Sequence, residues 1–366
     1  MSQSQASTRL YSCDDHLDIS AVPPQLWSDR LPAKYREIGP RVVSMKKLNL
    51  WMIGDAPFGM SGTTGGYPTA LSRVPGLDED GLRPSDPERR LTDMDRDDVW
   101  ASIVYGPAAL FRFPIEDADH MHAALRAWND WSAEEFNSHA PDRLSALPFL
   151  PSESPEAAVA ELQRCAEKGH RGAILNPFEA DIEDPRWDRL WSAAAEADLP
   201  ISFHVGGGTR TRPERDSWTI ATFAATVPMQ LDEPLAIMIF SGALERVPGF
   251  KLVLAESGVG WLPYFLARMD ATFEKHSRPY PDYSIKTLPS ELFRRQVYAT
   301  FEEEPLGPEL LPLLPAGNFM WASDYPHPDS TWPESRKAID HALGSLPPET
   351  VRLVTGETCR NLYKLP

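Results

Sequence analysis

Pro200-Ile201-Ser202-Phe203-His204-Val205-Gly206-Gly207-Gly208 is a compact β-forming run that ends on an imidazole and opens onto three glycines. Amphipathic stretches flank it, Pro185–Ala197 before and Pro234–Glu245 after, and Lys251–Ala255 then repeats the apolar run. Short apolar runs separated by helices of ten or more residues mark parallel βαβ units. Working outward, similar runs stand at Leu10–Ser12, Ala101–Tyr105, Leu144–Leu150, Gly172–Leu175, Gln296–Thr300 and Asn318–Ala322. Helical patterns fill Asp117–Ser138, Pro155–Lys168, Trp261–Lys275 and Glu334–Ala342. Eight runs is the number that closes a (β/α)8 TIM barrel, which is the predicted fold class, α/β. An open doubly wound sheet is the competitor, but no G-x-G-x-x-G follows an early strand.

The 366 residues carry 36 Lys+Arg against 53 Asp+Glu, a formal net charge of −17. So acidic a chain lacks the basic footprint that nucleic acid or an anionic membrane surface requires. No apolar stretch reaches the roughly 18 residues of a membrane span. Met1 to Thr8 is polar and holds no signal-peptide core, so a cytoplasmic location is expected. Cys13, Cys165 and Cys359 are odd in number and far apart, which argues against a disulfide framework or a thiolate metal site. The 36 prolines read as punctuation, with Pro155, Pro185 and Pro234 near helix starts and Ser154 and Asp184 placed as caps. Gly54 to Pro87, rich in Gly, Pro, Ser and Thr, reads as an irregular lid inserted into a single domain spanning 1–366.

Barrel chemistry gathers at the C-terminal ends of strands. Four predicted strand ends carry groups that can bind metal: Asp14-Asp15-His16, His204, Glu256-Ser257-Gly258 and Ser323-Asp324. On a strand, residues i and i+2 face the same side, so Asp14 and His16 can converge on one ion. A turn after the strand is the plainer account of D-x-H taken alone. His204 read alone fits a core histidine equally well, Asp324 a helix cap, and Glu256 a cap for the helix near Trp261. Together, carboxylates and imidazoles at four strand ends suit zinc, iron or manganese.

In this order the motifs resemble the amidohydrolase superfamily: D-x-H at Asp14–His16, H-x-G-G-G from His204, E-S-G-x-G-W-L-P from Glu256, and S-D-Y-P-H from Ser323. More narrowly they resemble the amidohydrolase-related branch that includes aminocarboxymuconate-semialdehyde decarboxylase. Pro248 to Pro263 is the most specific stretch, and Val354 to Tyr363 fits as well. The resemblance implies a distorted barrel around a divalent metal, zinc first, with Asp14, His16, His204 and Asp324 as ligands. The branch's decarboxylases place a catalytic histidine where this chain has Glu256, and many relatives have H-x-H or E-x-H where this chain has D-D-H.

The sequence reading therefore favours a hydrolase in which metal-activated water attacks an amide, lactone, ester or thioester carbonyl. Glu256 is the candidate base or an additional metal ligand, and His327 is placed to protonate the leaving group. The alternative is a non-oxidative decarboxylase of an aromatic or unsaturated carboxylic acid. One ion per chain is the default and two are allowed; Asn176 stands where a carbamylated lysine would be needed. Asn176, Trp218 and Tyr325 are candidate substrate contacts. Trp51, Phe58, Tyr67, Phe111 and Phe178 add aromatic surface near the expected rim, although packing accounts for most such residues. A small-molecule substrate and a homodimer complete the expectations.

Overall fold

The computed structural model describes residues 9–45, 48–62, 82, 84–207, 217–277, 285–304, 310–327 and 329–366. The strands are β1 (Leu10–His16), β2 (Arg41–Met45), β3 (Leu48–Ile53), β4 (Ala56–Ser61), β5 (Val99–Tyr105), β6 (Leu144–Ala146), β7 (Ala173–Ile174), β8 (Ile201–His204), β9 (Leu252–Ala255), β10 (Val297–Phe301) and β11 (Phe319–Trp321). Eight of them form two parallel arcs, β1-β5-β6 and β7-β8-β9-β10-β11. A parallel bridge from Phe149 to Ile174 joins the arcs at one seam. At the other seam Asp324 N donates to Asp14 O at 3.1 Å, and His16 N donates to Tyr325 O at 2.7 Å. The eight strand positions expected from the sequence are all present.

Every residue of β1, β8, β9 and β11 is buried, as expected for parallel strands covered by helices. Helix Pro155–Glu167 shows how the covering forms. Ser154 Oγ accepts from Ala157 N at 3.2 Å, Pro155 opens the helix, and Ala158, Leu162 and Cys165 recur on one buried face. Helix Asp188–Ala197 buries Leu190, Trp191 and Ala194, and it ends at Asp198 with φ 51°. Trp191 packs against Phe203 and Phe250, with ring centroids 6.3 and 4.9 Å away. That contact pins the helix beside β8 and so fixes where His204 emerges; truncating such an indole costs about 3–5 kcal/mol.

Two expectations change. The segment from Gly54 is not uniformly irregular: Ala56–Ser61 is β4, the third strand of an antiparallel β2-β3-β4 sheet. Gly54, at φ 54°, and Asp55 make the tight turn between β3 and β4. Ser85 and Asp86 already lead into helix Pro87–Arg96, which Asp86 caps, while 63–81, including Tyr67, and 83 lie outside the described residues. The second change concerns the cysteines. Cys13 and Cys359 form a disulfide, with Cα atoms 6.2 Å apart, that ties β1 to helix Thr358–Leu362. Separation by 346 residues had hidden that these two segments meet, and the pairing corrects the expectation that the cysteines form no disulfide. Among the described residues no helix is long and apolar enough to cross a membrane.

Candidate metal centre

Alternation along β1 sends its acidic residues to different places. Asp14 and His16 face the barrel centre. Asp15 turns away and accepts from Ser12 Oγ at 2.6 Å, Ser323 Oγ at 2.7 Å, Arg90 at 3.3 Å and Ser102 Oγ. A shift in the β1–β5 register between Ser12 and Asp15 marks where the strand bends to do this. Asp15 is thus a buried anchor, neutralised by a buried arginine, and not a ligand.

Four side chains from β1, β8 and the turn after β11 converge. His16 Nε2 lies 3.4 Å from Asp14 Oδ1 and 3.0 Å from Asp324 Oδ1, and His204 Nε2 lies 3.6 Å from Asp14 Oδ1. Each of these four atoms is buried without an ordinary hydrogen-bond partner, although Asp324 Oδ1 also faces His327 Nδ1 at 2.8 Å. Buried polar atoms left unmatched are rare and need a reason; here all four point at one another. Their other atoms are held. Asp14 Oδ2 accepts from Glu256 N and from Thr300 Oγ1, both at 2.7 Å. His204 Nδ1 sits 2.9 Å from Val205 O, so a proton on Nδ1 leaves the Nε2 lone pair facing inward. Donor atoms of Asp14, His16 and His204, and separately those of His16, Asp324 and His327, lie within 4.8 Å of one another, and His16, common to both sets, places a fit for a divalent metal ion here.

The electrostatics agree. Burial, with His327 and His204 nearby, holds the His16 imidazole well below its ordinary range. Burial also opposes charge on His204, yet Asp14 and Glu256 raise it to about 9. A cation at this point would take the place of that proton, since a ligating imidazole is neutral. Glu256 and Asp324 both adopt left-handed backbone, φ 54° and 59°. Non-glycine residues held there signal local strain that tends to collect at functional sites.

Glu256 is brought to the cluster, with Oε2 3.3 Å from His204 Nε2 and 3.9 Å from His16 Nε2. Glu302, one residue past β10, joins it and Asp324 in a group of carboxylates whose donor atoms lie within 4.8 Å of one another. Sequence reasoning missed Glu302. Its signal was an acid directly after an apolar strand, but the run had been ended at Thr300 while the strand continues to Phe301. Burial pushes Glu256 up to about 7, with His204 pulling down and Asp324 adding repulsion. Burial, Asp324 and Glu256 hold Glu302 well above the carboxylate range. His327 stacks on His16 with centroids 4.0 Å apart, and its Nδ1 is 2.8 Å from Asp324 Oδ1. Its Nε2 is 3.6 Å from Asp18 Oδ2. Burial opposes its charge, but Asp324 and Asp18 hold it well above the ordinary histidine range.

The expected substrate contacts fare less well. The phenol of Tyr325 donates to Asp93 Oδ2 at 2.5 Å and its ring packs on Trp332, so it faces helix Pro87–Arg96 and not the cluster. Assigning Tyr325 to substrate is corrected accordingly. Asn176 Oδ1 closes a turn by accepting from Phe178 N at 3.1 Å. Trp218 is exposed on helix Ser217–Thr226. Trp51 is fully buried, and Phe58, Phe111 and Phe178 pack against the core.

The amidohydrolase family matches residues 47–365. The chain belongs to that family. A gamma-resorcylate decarboxylase from Polaromonas sp. is 24% identical over 299 residues, covering 76% of this chain and 87% of that protein. One from Rhodococcus jostii is 28% identical over 256 residues, covering 65% and 76%. Among solved structures, an amidohydrolase from Mycobacterium avium subsp. paratuberculosis superposes with TM-score 0.79 at 19% identity, covering 98% of both chains. The 5-carboxyvanillate decarboxylase from Sphingomonas paucimobilis gives 0.70 at 21%, covering 98% and 100%. A manganese-bound dihydroxybenzoic acid decarboxylase from Polaromonas gives 0.65 at 18%, covering 98% and 97%. These likenesses place the fold in the TIM barrel class. They also overturn the hydrolase reading, because the named relatives and neighbours are predominantly decarboxylases. The preference for zinc loses support as well, since the metal named in a neighbour is manganese.

Proposed function

We propose that the chain is a metal-dependent, non-oxidative decarboxylase of a small aromatic carboxylic acid, acting as a single catalytic domain. The observation that carries this reading is the convergence of unmatched buried atoms from Asp14, His16, His204 and Asp324. The decarboxylases among its relatives support the reaction class. Manganese is the proposed ion, and when bound it would supply positive charge to anchor substrate oxygens and draw electron density from the ring.

The reaction needs one proton at the ring carbon bearing the carboxylate. As carbon dioxide leaves, the electrons of the broken C–C bond return to the ring. His327 is the proposed proton donor, because Asp324 and Asp18 at its two nitrogens favour the protonated form and it stacks beside the ligand His16. Thr300 and the Glu256 N–H hold Asp14 still. Burial of Asp14, His16, His204 and Asp324 strengthens the charge interactions among them.

The test is carbon dioxide release from 2,6-dihydroxybenzoate and 5-carboxyvanillate by manganese-loaded protein. Release that disappears on chelation and returns with manganese supports the reading. No release from either acid or from related hydroxybenzoates, with manganese demonstrably bound, rejects it.

A further inference from the structure

We propose that Tyr105 is a positioning residue for the metal centre, its ring wedged against His16 and His204 so as to set the angle at which the two ligand imidazoles meet. Tyr105 is the last residue of β5 and pairs in register with His16 across the parallel β1–β5 ladder. Its carbonyl accepts from Leu17 N at 2.9 Å, which fixes the backbone just past His16. The ring centroid lies 4.9 Å from that of His204 and 6.2 Å from that of His16, while the two imidazoles meet at 5.2 Å with their planes 85° apart. All three rings are therefore in mutual packing range. The phenol donates to Ser202 Oγ at 2.9 Å. Ser202 stands two residues before His204 on β8, so both side chains face the same side of that strand. One residue thus ties β1 to β8, by the ladder on one side and by its hydroxyl on the other. The contact of His204 Nδ1 with Val205 O sets the tautomer, but the tilt of the ring depends on the surface it packs against, and Tyr105 supplies that surface. An aliphatic side chain would fill the volume without offering a flat face. Tyr105 is 1% exposed, so it acts through the two histidines and not on the substrate.

This role rests on the metal-centre reading and not on decarboxylation, and its test reads bound metal and not turnover. Full-length protein is stripped with a chelator and titrated with Mn(II) by calorimetry. Its Co(II) form is examined by visible absorption, where the d–d bands report the geometry of the ligands. Tyr105→Leu, checked for a cooperative melting transition, is expected to bind Mn(II) about tenfold more weakly and to shift the Co(II) bands. Tyr105→Phe keeps the ring and is expected to keep the wild-type bands and most of the affinity. A residue that merely filled space would lower the melting temperature without moving those bands. Should Tyr105→Leu fail to fold, Tyr105→Met, which fills the space without a flat face, is read in the same way. Wild-type affinity and bands in the folded ring-less variant, or bands in Tyr105→Phe shifted as far as in Tyr105→Leu, overturn the proposal alone. No metal binding by the wild type overturns the metal centre and this role with it.

Discussion

The backbone N–H of Glu256 donates to Oδ2 of Asp14 at 2.7 Å, tying the end of β9 to the metal-facing acid on β1. Thr300 Oγ1 donates to the same oxygen at 2.7 Å from β10. Three strands therefore set the direction of one carboxylate. Its other oxygen is left bare toward His16 and His204.

Thr300→Val removes one of those two donors while keeping the side-chain shape. Partners of metal ligands typically contribute 10- to 100-fold in metal affinity. Manganese titration by calorimetry is expected to show about tenfold weaker binding in the variant. Unchanged affinity would mean that Thr300 does not orient Asp14.

His327→Asn keeps a polar side chain but cannot deliver a proton at neutral pH. The expected loss in kcat is roughly 10²- to 10⁴-fold, the range for a general acid, with KM and bound metal nearly unchanged. Steady-state kinetics beside metal analysis checks this. Metal loss in the variant would show that His327 acts as a ligand.

Arg90 is fully buried and donates to Asp15 at 3.3 Å and to His16 O at 3.1 Å. Arg90→Met leaves Asp15 as an uncompensated buried charge. Breaking such a pair costs about 3–5 kcal/mol, so urea denaturation is expected to show a large drop in stability. A change below about 1 kcal/mol would contradict the anchoring role given to Asp15.

Burial raises Asp97 from its ordinary 3.8 to about 7, although Ser335 donates to it from both N and Oγ. The folded chain then holds a proton that the unfolded chain has released across that window. Stability therefore falls as pH rises from about 4 to about 7. Asp97→Asn has no such proton to lose and can still pair with Ser335. Its denaturation midpoint is expected to fall less than that of the wild type between pH 4 and 8; parallel pH profiles would reject the assignment.

The strand ends that carry the cluster were readable in the sequence because each is a short apolar run followed by an ionisable residue. His204 after Ile201–Phe203 and Glu256 after Leu252–Ala255 are the clear cases. Glu302 was harder, since in Glu302-Glu303-Glu304 a run of acids resembles a solvated surface. In the structure Glu302 joins the carboxylate cluster while Glu304 accepts from Val259 N at 2.5 Å. The β2-β3-β4 sheet was missed because its strands expose residues such as Met45, Leu48 and Met60, which blurs the alternation. Tyr325 follows Asp324 directly, yet its phenol faces Asp93 and away from the ligand cluster, which a linear motif does not reveal. The Cys13–Cys359 pairing depends on the chain ends meeting, and sequence spacing holds no trace of that.

Turnover of 2,6-dihydroxybenzoate and 5-carboxyvanillate in D2O by manganese-loaded protein, with the product examined by proton NMR, is the most direct test of metal-dependent decarboxylation at this cluster. The prediction is a decarboxylated phenol carrying one deuterium at the carbon that bore the carboxylate, formed by the wild type and not by Asp324→Ala, which should also lose its metal. Recovery of the acids unchanged from protein with manganese bound, or deuterated product from a metal-free Asp324→Ala variant, would contradict it.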